Sequence, residues 1–133
     1  MLGQQLGEIK GKVTGHRVLD ADELITENSV SATGTLAGTQ VNITLTYVGK
    51  PISKGIFHGQ GNGIVMTNEG DVASYTGEAI GKIDSSRKIF WRGSLFYKSS
   101  GTGKLAALNN LVAVLEAQID SEGNFSEKTW EWK

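Results

Sequence analysis

The chain has 133 residues, a formal net charge of −1, no cysteine and two histidines. The lack of cysteine excludes a disulfide framework and a thiolate zinc site, and so few histidines argue against a histidine-rich metal site, so we expect neither a metal nor a cofactor. The near-neutral charge gives no electrostatic reason to expect nucleic acid as a partner, and no apolar run approaches the about 20 residues that span a bilayer.

Apolar and polar residues alternate with a period of two along most of the chain, which is the side-chain period of a β-strand. Residues 9–19 predict a first long strand. In residues 41–47 every odd position is apolar and every even position is polar. Residues 29–36 alternate in the same way, and the short turn at residues 38–39 between the two segments predicts a hairpin.

Further strands are predicted after Pro51, which we expect to close the first part of the sheet. Short turns separate these strands and no helical crossover intervenes, so neighbouring strands should pair antiparallel. The fold class predicted is all-β, an eight-stranded antiparallel up-and-down β-barrel, with a two-sheet β-sandwich as the alternative. A chain of this length predicts a single domain over residues 1–133. The later strands are expected at residues 54–67, 72–83 and 89–97, then at 111–119 and in a last segment ending at Trp132.

The turn at residues 68–70 sets the register of the two strands that it joins. Three residues, the last a glycine suited to the left-handed conformation, are typical of a hairpin loop. The register then places Gln60 opposite Glu78 and Asn62 opposite Thr76. A different loop length would reverse the faces of one strand, so the sequence leaves open which face points inward.

Glycine is unusually frequent in the predicted strands. The chain has 18 glycines and only one proline, and charged residues are a modest 20% of it, which argues against a disordered linker. Glycine inside a strand marks a bulge, a tight bend or a close approach of backbones, and these features let a sheet curl into a barrel.

Three stretches of the chain together resemble a known group of small barrels. They are the glycine-rich residues 59–63, the aromatic residues 91–93, and the tail from residues 104–109 through 130–132. In pattern they are similar to uncharacterised barrels related to the allene-oxide-cyclase and calycin (lipocalin-like) architectures. The resemblance covers about residues 55–133 and implies a barrel that can enclose a small ligand and form oligomers. It implies no substrate and no catalytic residue.

The paired residues Gln60, Asn62 and Glu78 are the first candidates for a ligand-binding site. If Glu78 faces the interior, these groups and Thr76 form a polar patch in a partly apolar cavity. A desolvated glutamate has a raised pKa, so such a patch could orient a ligand or supply a general acid. The same residues fit an outward-facing polar ladder in water, which is the simpler interpretation.

Other candidate ligand-binding residues lie on the later strands. Arg92 stands among aromatic residues and could clamp a carboxylate, either Glu78 within the fold or one on a ligand. Tyr75, Trp91 and Leu115 would form the walls of the cavity, and Glu116 is a second mid-strand carboxylate.

Three functional hypotheses follow. The leading one is a lipocalin-like carrier or sensor that binds a small apolar ligand without catalysis. The second is an isomerase or cyclase in which Glu78 or Glu116 assists proton transfer. The third is a structural homo-oligomeric barrel without a ligand, associating through Phe96, Trp130 and Trp132. The first residues lack the charged and apolar regions of a signal peptide, so we expect a cytoplasmic protein.

Overall fold

The structure, a computed structural model, describes residues 2–133, and over this range the chain forms eight strands and one short 3-10 helix. Each strand pairs antiparallel with the next, and the last strand pairs with the first to close the barrel. The predicted up-and-down barrel is therefore confirmed, and the two-sheet sandwich is wrong. The elements are β1 (Leu2–Asp20), β2 (Ile25–Leu36), β3 (Thr39–Ser53), β4 (Ile56–Met66), β5 (Val72–Ile83), β6 (Ile89–Ser99), the helix Ala106–Leu108, β7 (Val112–Ile119) and β8 (Asn124–Trp132).

Two predicted strand boundaries need correction. Pro51 does not end the sheet, because β3 runs on to Ser53 and pairs Pro51 with Phe57 just before a register shift. Proline is tolerated there because such irregular positions near a strand end need no ladder hydrogen bond from its nitrogen. The β2–β3 turn consists of Ala37 and Gly38, both with positive φ (52° and 74°), which is the two-residue geometry that matches strand twist.

The predicted register of β4 against β5 is confirmed. Gln60 lies opposite Glu78 and Asn62 opposite Thr76. The turn that fixes this register is closed by the Thr67 backbone N–H, which donates to the Asp71 carbonyl over 3.0 Å, and by Gly70 with φ 95°.

Glycines on the inner wall make room for two large aromatic rings. A Cβ added to Gly63 would lie 2.5 Å from the hydroxyl oxygen of Tyr75, its partner across the β4–β5 ladder. A Cβ added to Gly81 would lie 2.8 Å from the ring of Trp91, its partner on β6. Each ring therefore lies over a glycine of the neighbouring strand, so bulky side chains do turn inward and fill much of the barrel.

One end of the barrel is sealed by the connection between β6 and β7. Leu105 and Leu108, at the short 3-10 helix, are only 1% and 0% exposed and join the hydrophobic core. Glycine-rich residues 101–103 precede this helix on the surface. The end cap is built from apolar side chains, so polar groups that point into the barrel below it are shielded from water.

Candidate functional site

A cavity of about 80 Å³ lies against the inner wall of the barrel. Its lining is mainly apolar and includes Leu45, Leu115, Ile119 and Phe125. Strands β4 and β5 contribute glycine and alanine positions to this wall. Side chains of other strands cover the glycines, since a Cβ added to Gly59 would lie 2.8 Å from the Trp91 ring and one added to Gly77 would lie 2.6 Å from Leu95.

The buried acidic residue of this cavity is Glu127, on β8. Phe125, Glu127 and Thr129 alternate onto the inner face of β8 and are buried, and Glu127 is 7% exposed. The register places Glu127 between Ile9 of β1 and Ala117 of β7. Burial raises the pKa of the Glu127 carboxyl to about 8, and no salt bridge among residues 2–133 reaches it. At neutral pH this carboxyl is therefore mostly protonated, and it can donate a hydrogen bond.

Two hydrogen-bond donors at the cavity are buried without a partner among the described residues. They are the Tyr75 hydroxyl and the Trp91 indole N–H, and the Thr129 hydroxyl is a third enclosed polar group of the same kind. Buried polar groups are nearly always hydrogen-bonded, so each such exception calls for an explanation. A bound molecule that accepts hydrogen bonds is one explanation that serves both cavity donors at once.

Aromatic packing fixes the positions of these donors. The rings of Tyr75 and Tyr97 lie 5.3 Å apart, and those of Tyr47 and Trp91 lie 5.4 Å apart in an edge-on arrangement. Burial, followed by the charge of Glu127, raises the pKa of both Tyr75 and Tyr97, so the carboxyl lies close enough to act on each phenol. The carboxyl and the phenols therefore share one electrostatic environment inside the barrel.

The structure brings together only part of the site expected from the sequence. Tyr75, Trp91 and Leu115 are buried and line the cavity as walls. Gln60, Asn62 and Glu78 border the same stretch of wall, but these residues are exposed on the outer faces of β4 and β5. Of the two orientations that the sequence left open, the structure has the simpler one, the outward-facing polar ladder, so Glu78 lacks the inward position on which its acid–base role depended. A ligand contact by these outer residues stays a prediction.

Arg92 and Glu116 also lie on the outer surface. They are partners across β6 and β7 and form a salt bridge of 3.9 Å, with side chains 81% and 57% exposed. The arginine therefore pairs with Glu116 and not with Glu78. Neither charge reaches the interior cavity, and a ligand contact by either stays a prediction.

Sequence reasoning missed Glu127 because the alternation of β8 is misleading. The outer face carries Trp130 and Trp132, whereas the inner face carries Glu127 and Thr129, so hydrophobicity favours the opposite orientation. The usable signal was Phe125, which the pairing of β8 with β7 and β1 turns inward beside Ile119. An acidic residue two positions from such an anchor shares its face.

The chemistry of the site is that of a small set of neutral donors in an apolar space. An indole N–H only donates, whereas a phenol and a protonated carboxyl can both donate and accept. The site therefore matches a largely apolar molecule that presents an acceptor oxygen. Among the described residues, no group of three histidine, cysteine, aspartate or glutamate side chains is placed to hold a metal ion.

Replacing Tyr75 by phenylalanine is expected to raise the free energy of unfolding of the ligand-free protein by about 1 kcal/mol, because it removes a buried hydroxyl that has no partner. Urea unfolding followed by circular dichroism measures the change. Tyr97→Phe is the matched control, since the Tyr97 hydroxyl is not among the enclosed unpartnered atoms, and it should change stability less. Equal changes in the two variants, or a loss of stability in Tyr75→Phe, would contradict the expectation.

The fold and the cavity define a closed, up-and-down, eight-stranded barrel with an acidic interior group. Comparison with protein-family models finds no match, and comparison with curated proteins finds none either. Two solved structures share the fold. A conserved protein of unknown function from Rhodopseudomonas palustris is 9% identical, with a TM-score of 0.76 over 98% of this chain and 97% of its own. A protein of unknown function from Clostridium acetobutylicum is 10% identical, with a TM-score of 0.77 over 98% of both chains.

These similarities establish the barrel and nothing about its activity. Within the described part of the chain, no helix has the length and hydrophobicity needed to cross a membrane.

Proposed function

We propose that this chain acts as a single barrel domain that binds a small, largely apolar molecule in its interior, as a carrier or sensor. The observation that carries the proposal is the pair of enclosed donors, Tyr75 and Trp91, which border a cavity and have no partner among the described residues. A bound acceptor oxygen would satisfy these donors, and the apolar walls would hold the remainder of the molecule.

The size of the cavity limits the molecule. At about 80 Å³ it is roughly half the volume of the engineered apolar cavity of about 150 Å³ that accepts benzene. The bound molecule, or the part of it that enters, is therefore small. A protonated Glu127 offers a further donor without placing a charge in the cavity, which favours a neutral ligand over an anion.

The resemblance of residues 55–133 to allene-oxide-cyclase-like and calycin barrels forms part of this proposal. Up-and-down strand order and an interior space large enough for one small ligand support it, because an eight-stranded barrel of this type can hold such a ligand.

A pair of nearly isosteric probes tests the proposal directly. Cyclobutanone carries a carbonyl acceptor, whereas methylenecyclobutane has the same shape without one. Chemical-shift titration should show cyclobutanone binding more tightly than methylenecyclobutane, with shifts concentrated at Tyr75, Trp91 and Ala117. Equal affinity for the two probes, or chemical-shift changes confined to the outer surface, would refute the proposed acceptor site.

A cavity-filling substitution supplies the control for location. Ala117→Leu adds three carbons to the cavity wall and should abolish cyclobutanone binding. Ala107→Leu makes the same chemical change at an exposed position and should leave binding unchanged. Native mass spectrometry of protein purified from its own host would then reveal the mass of the retained natural ligand.

A second candidate function is favoured by one observation, the pKa of about 8 at Glu127. A carboxyl that titrates near neutral pH is suited to general acid–base catalysis, and this gives the isomerase or cyclase hypothesis a residue inside the barrel. Glu127 replaces Glu78 and Glu116 in that role, because those two carboxylates are exposed.

Deuterium exchange tests this second candidate. In heavy water above pH 8, the Glu127 carboxylate would remove a proton from the carbon beside the cyclobutanone carbonyl and return a deuteron. Nuclear magnetic resonance should detect exchange that is faster with the protein than in buffer and that is lost in Glu127→Gln. Binding without exchange would leave the carrier function and exclude this catalytic role toward cyclobutanone.

A further inference from the structure

The outer face of four neighbouring strands carries an uncovered apolar row. Phe96 of β6 pairs with Val112 of β7, and Leu2 of β1 pairs with Trp132 of β8. Since Ala113 pairs with Glu131, the β7–β8 register places Val112 beside Trp132 and makes the row continuous. These four side chains are 37% to 58% exposed. Large contiguous apolar patches on the outside of a protein mark interaction sites.

Below this apolar row, toward the opposite end of the barrel, lies a second row that combines apolar and polar groups. Trp130 of β8 and Val114 of β7 are paired at its centre and are half-buried. Gln5 of β1 lies beside Trp130, and Ser94 of β6 lies beside Val114. The row therefore has an apolar centre and one small polar group on each side.

A third row on the same face consists of alternating charges. Across β1, β8, β7 and β6 it runs Glu8, Lys128, Glu116 and Arg92, each paired with the next through the strand register. Read in reverse, the order is positive, negative, positive, negative. A row with this order is complementary to its own reversed copy at every position.

We propose that this face binds a second copy of the chain through a two-fold axis that runs parallel to the strands, between β7 and β8. Such an axis exchanges β7 with β8 and β6 with β1, and it keeps each row at its own level. The same patch then serves both subunits, which is the isologous arrangement of a symmetric dimer.

All three rows match under this single operation. In the charged row, Glu8 faces the second copy's Arg92, and Lys128 faces the second copy's Glu116. In the apolar row, Leu2 faces the second copy's Phe96. The remaining central positions place tryptophan against valine, and Gln5 lies against the second copy's Ser94. Charge complementarity and apolar contact therefore select the same partner, which is this chain itself.

Charge exchange at the centre of the face is the sharpest test. Lys128→Glu would place a glutamate against the second copy's Glu116, and sedimentation equilibrium should show the dimer dissociation constant rising at least about tenfold. Adding Glu116→Lys restores opposite charges across the proposed axis, so the double variant should recover most of the dimer affinity. Trp132→Ser should also weaken the dimer without changing any charge.

The matched control is Lys50→Glu, because Lys50 is an exposed residue of β3 on the opposite side of the barrel. It should leave the dimer unchanged, and circular dichroism should show every variant folded. A protein that remains monomeric up to millimolar concentration overturns the proposal. So does a dimer that Lys128→Glu and Lys50→Glu weaken equally, or one that the double variant fails to restore.

Discussion

Glu127→Gln is expected to stabilise the protein at pH 8 by on the order of 4 kcal/mol, since the carboxyl pKa rises from its usual 4.5 to about 8 in the folded chain. Between these two pH values the folded chain holds a proton that the unfolded chain releases. The free energy of unfolding of the native protein therefore falls as pH rises from about 4.5 to about 8, and levels off above. The amide of glutamine does not titrate, so the variant should lack this decline.

Urea unfolding of both proteins from pH 5 to pH 9 measures this difference. Local hydrogen bonds lower the pKa values of the carboxylates Asp84 and Asp120, so these groups affect the free energy of unfolding only at lower pH. Both proteins contain them, so they do not contribute to the difference. Glu116→Gln is the control, because it removes an exposed carboxylate and should keep the native decline. Parallel pH profiles for the native protein and Glu127→Gln would show that Glu127 is not desolvated.

Gly93→Ala is expected to lower the free energy of unfolding by about 3 kcal/mol. A Cβ at Gly93 would lie 2.6 Å from the Cα of Ala79 and against the carbonyl of Glu78, so β5 and β6 would have to separate. Backbone has no alternative rotamer, which makes this clash harder to relieve than contact with a flexible side chain. Thermal and urea unfolding both measure the loss.

The matched control for this substitution is Gly49→Ala. Gly49 is likewise a strand glycine, here a buried one, but an added Cβ there would have as its nearest neighbour the hydroxyl of Thr26 at 3.8 Å. Its stability should change by less than about 1 kcal/mol, because alanine is also entropically favoured over glycine in a strand. If both alanine variants were equally stable, close strand packing at Gly93 would be disproved.

The sequence predicted the architecture because local rules determine it. A period of two defines the strands, and turns such as residues 68–70 allow one register between neighbours. Orientation was harder to predict for β4, whose inner positions are Gly59, Gly61 and Gly63 and whose outer ones are Gln60 and Asn62. Neither set is strongly hydrophobic, so the alternation does not indicate which set faces the core.

The interior site was less predictable because it breaks the rule used to find it. Glu127 is a buried acidic residue on β8. The outer face of that strand carries two tryptophans, so it has the hydrophobicity expected of a face that packs in the core. The orientation of Glu127 follows from the β7–β8 register, which places this residue opposite the inward-facing Ala117, and from its pairing with Ile9 where the barrel closes. Tyr75 and Trp91 were expected at the cavity walls as bulky side chains able to fill the barrel, and in the structure each ring lies over a glycine of the neighbouring strand.

Strand β1 is longer than the partner that closes the barrel against it. Its pairing with β8 ends at Lys12 and Asn124, while its pairing with β2 continues to Asp20. Along residues 14–20 the side of β1 that faces away from β2 has no strand neighbour among the described residues. Such margins are where sheets grow by strand addition, and Arg17 places a charge on this one.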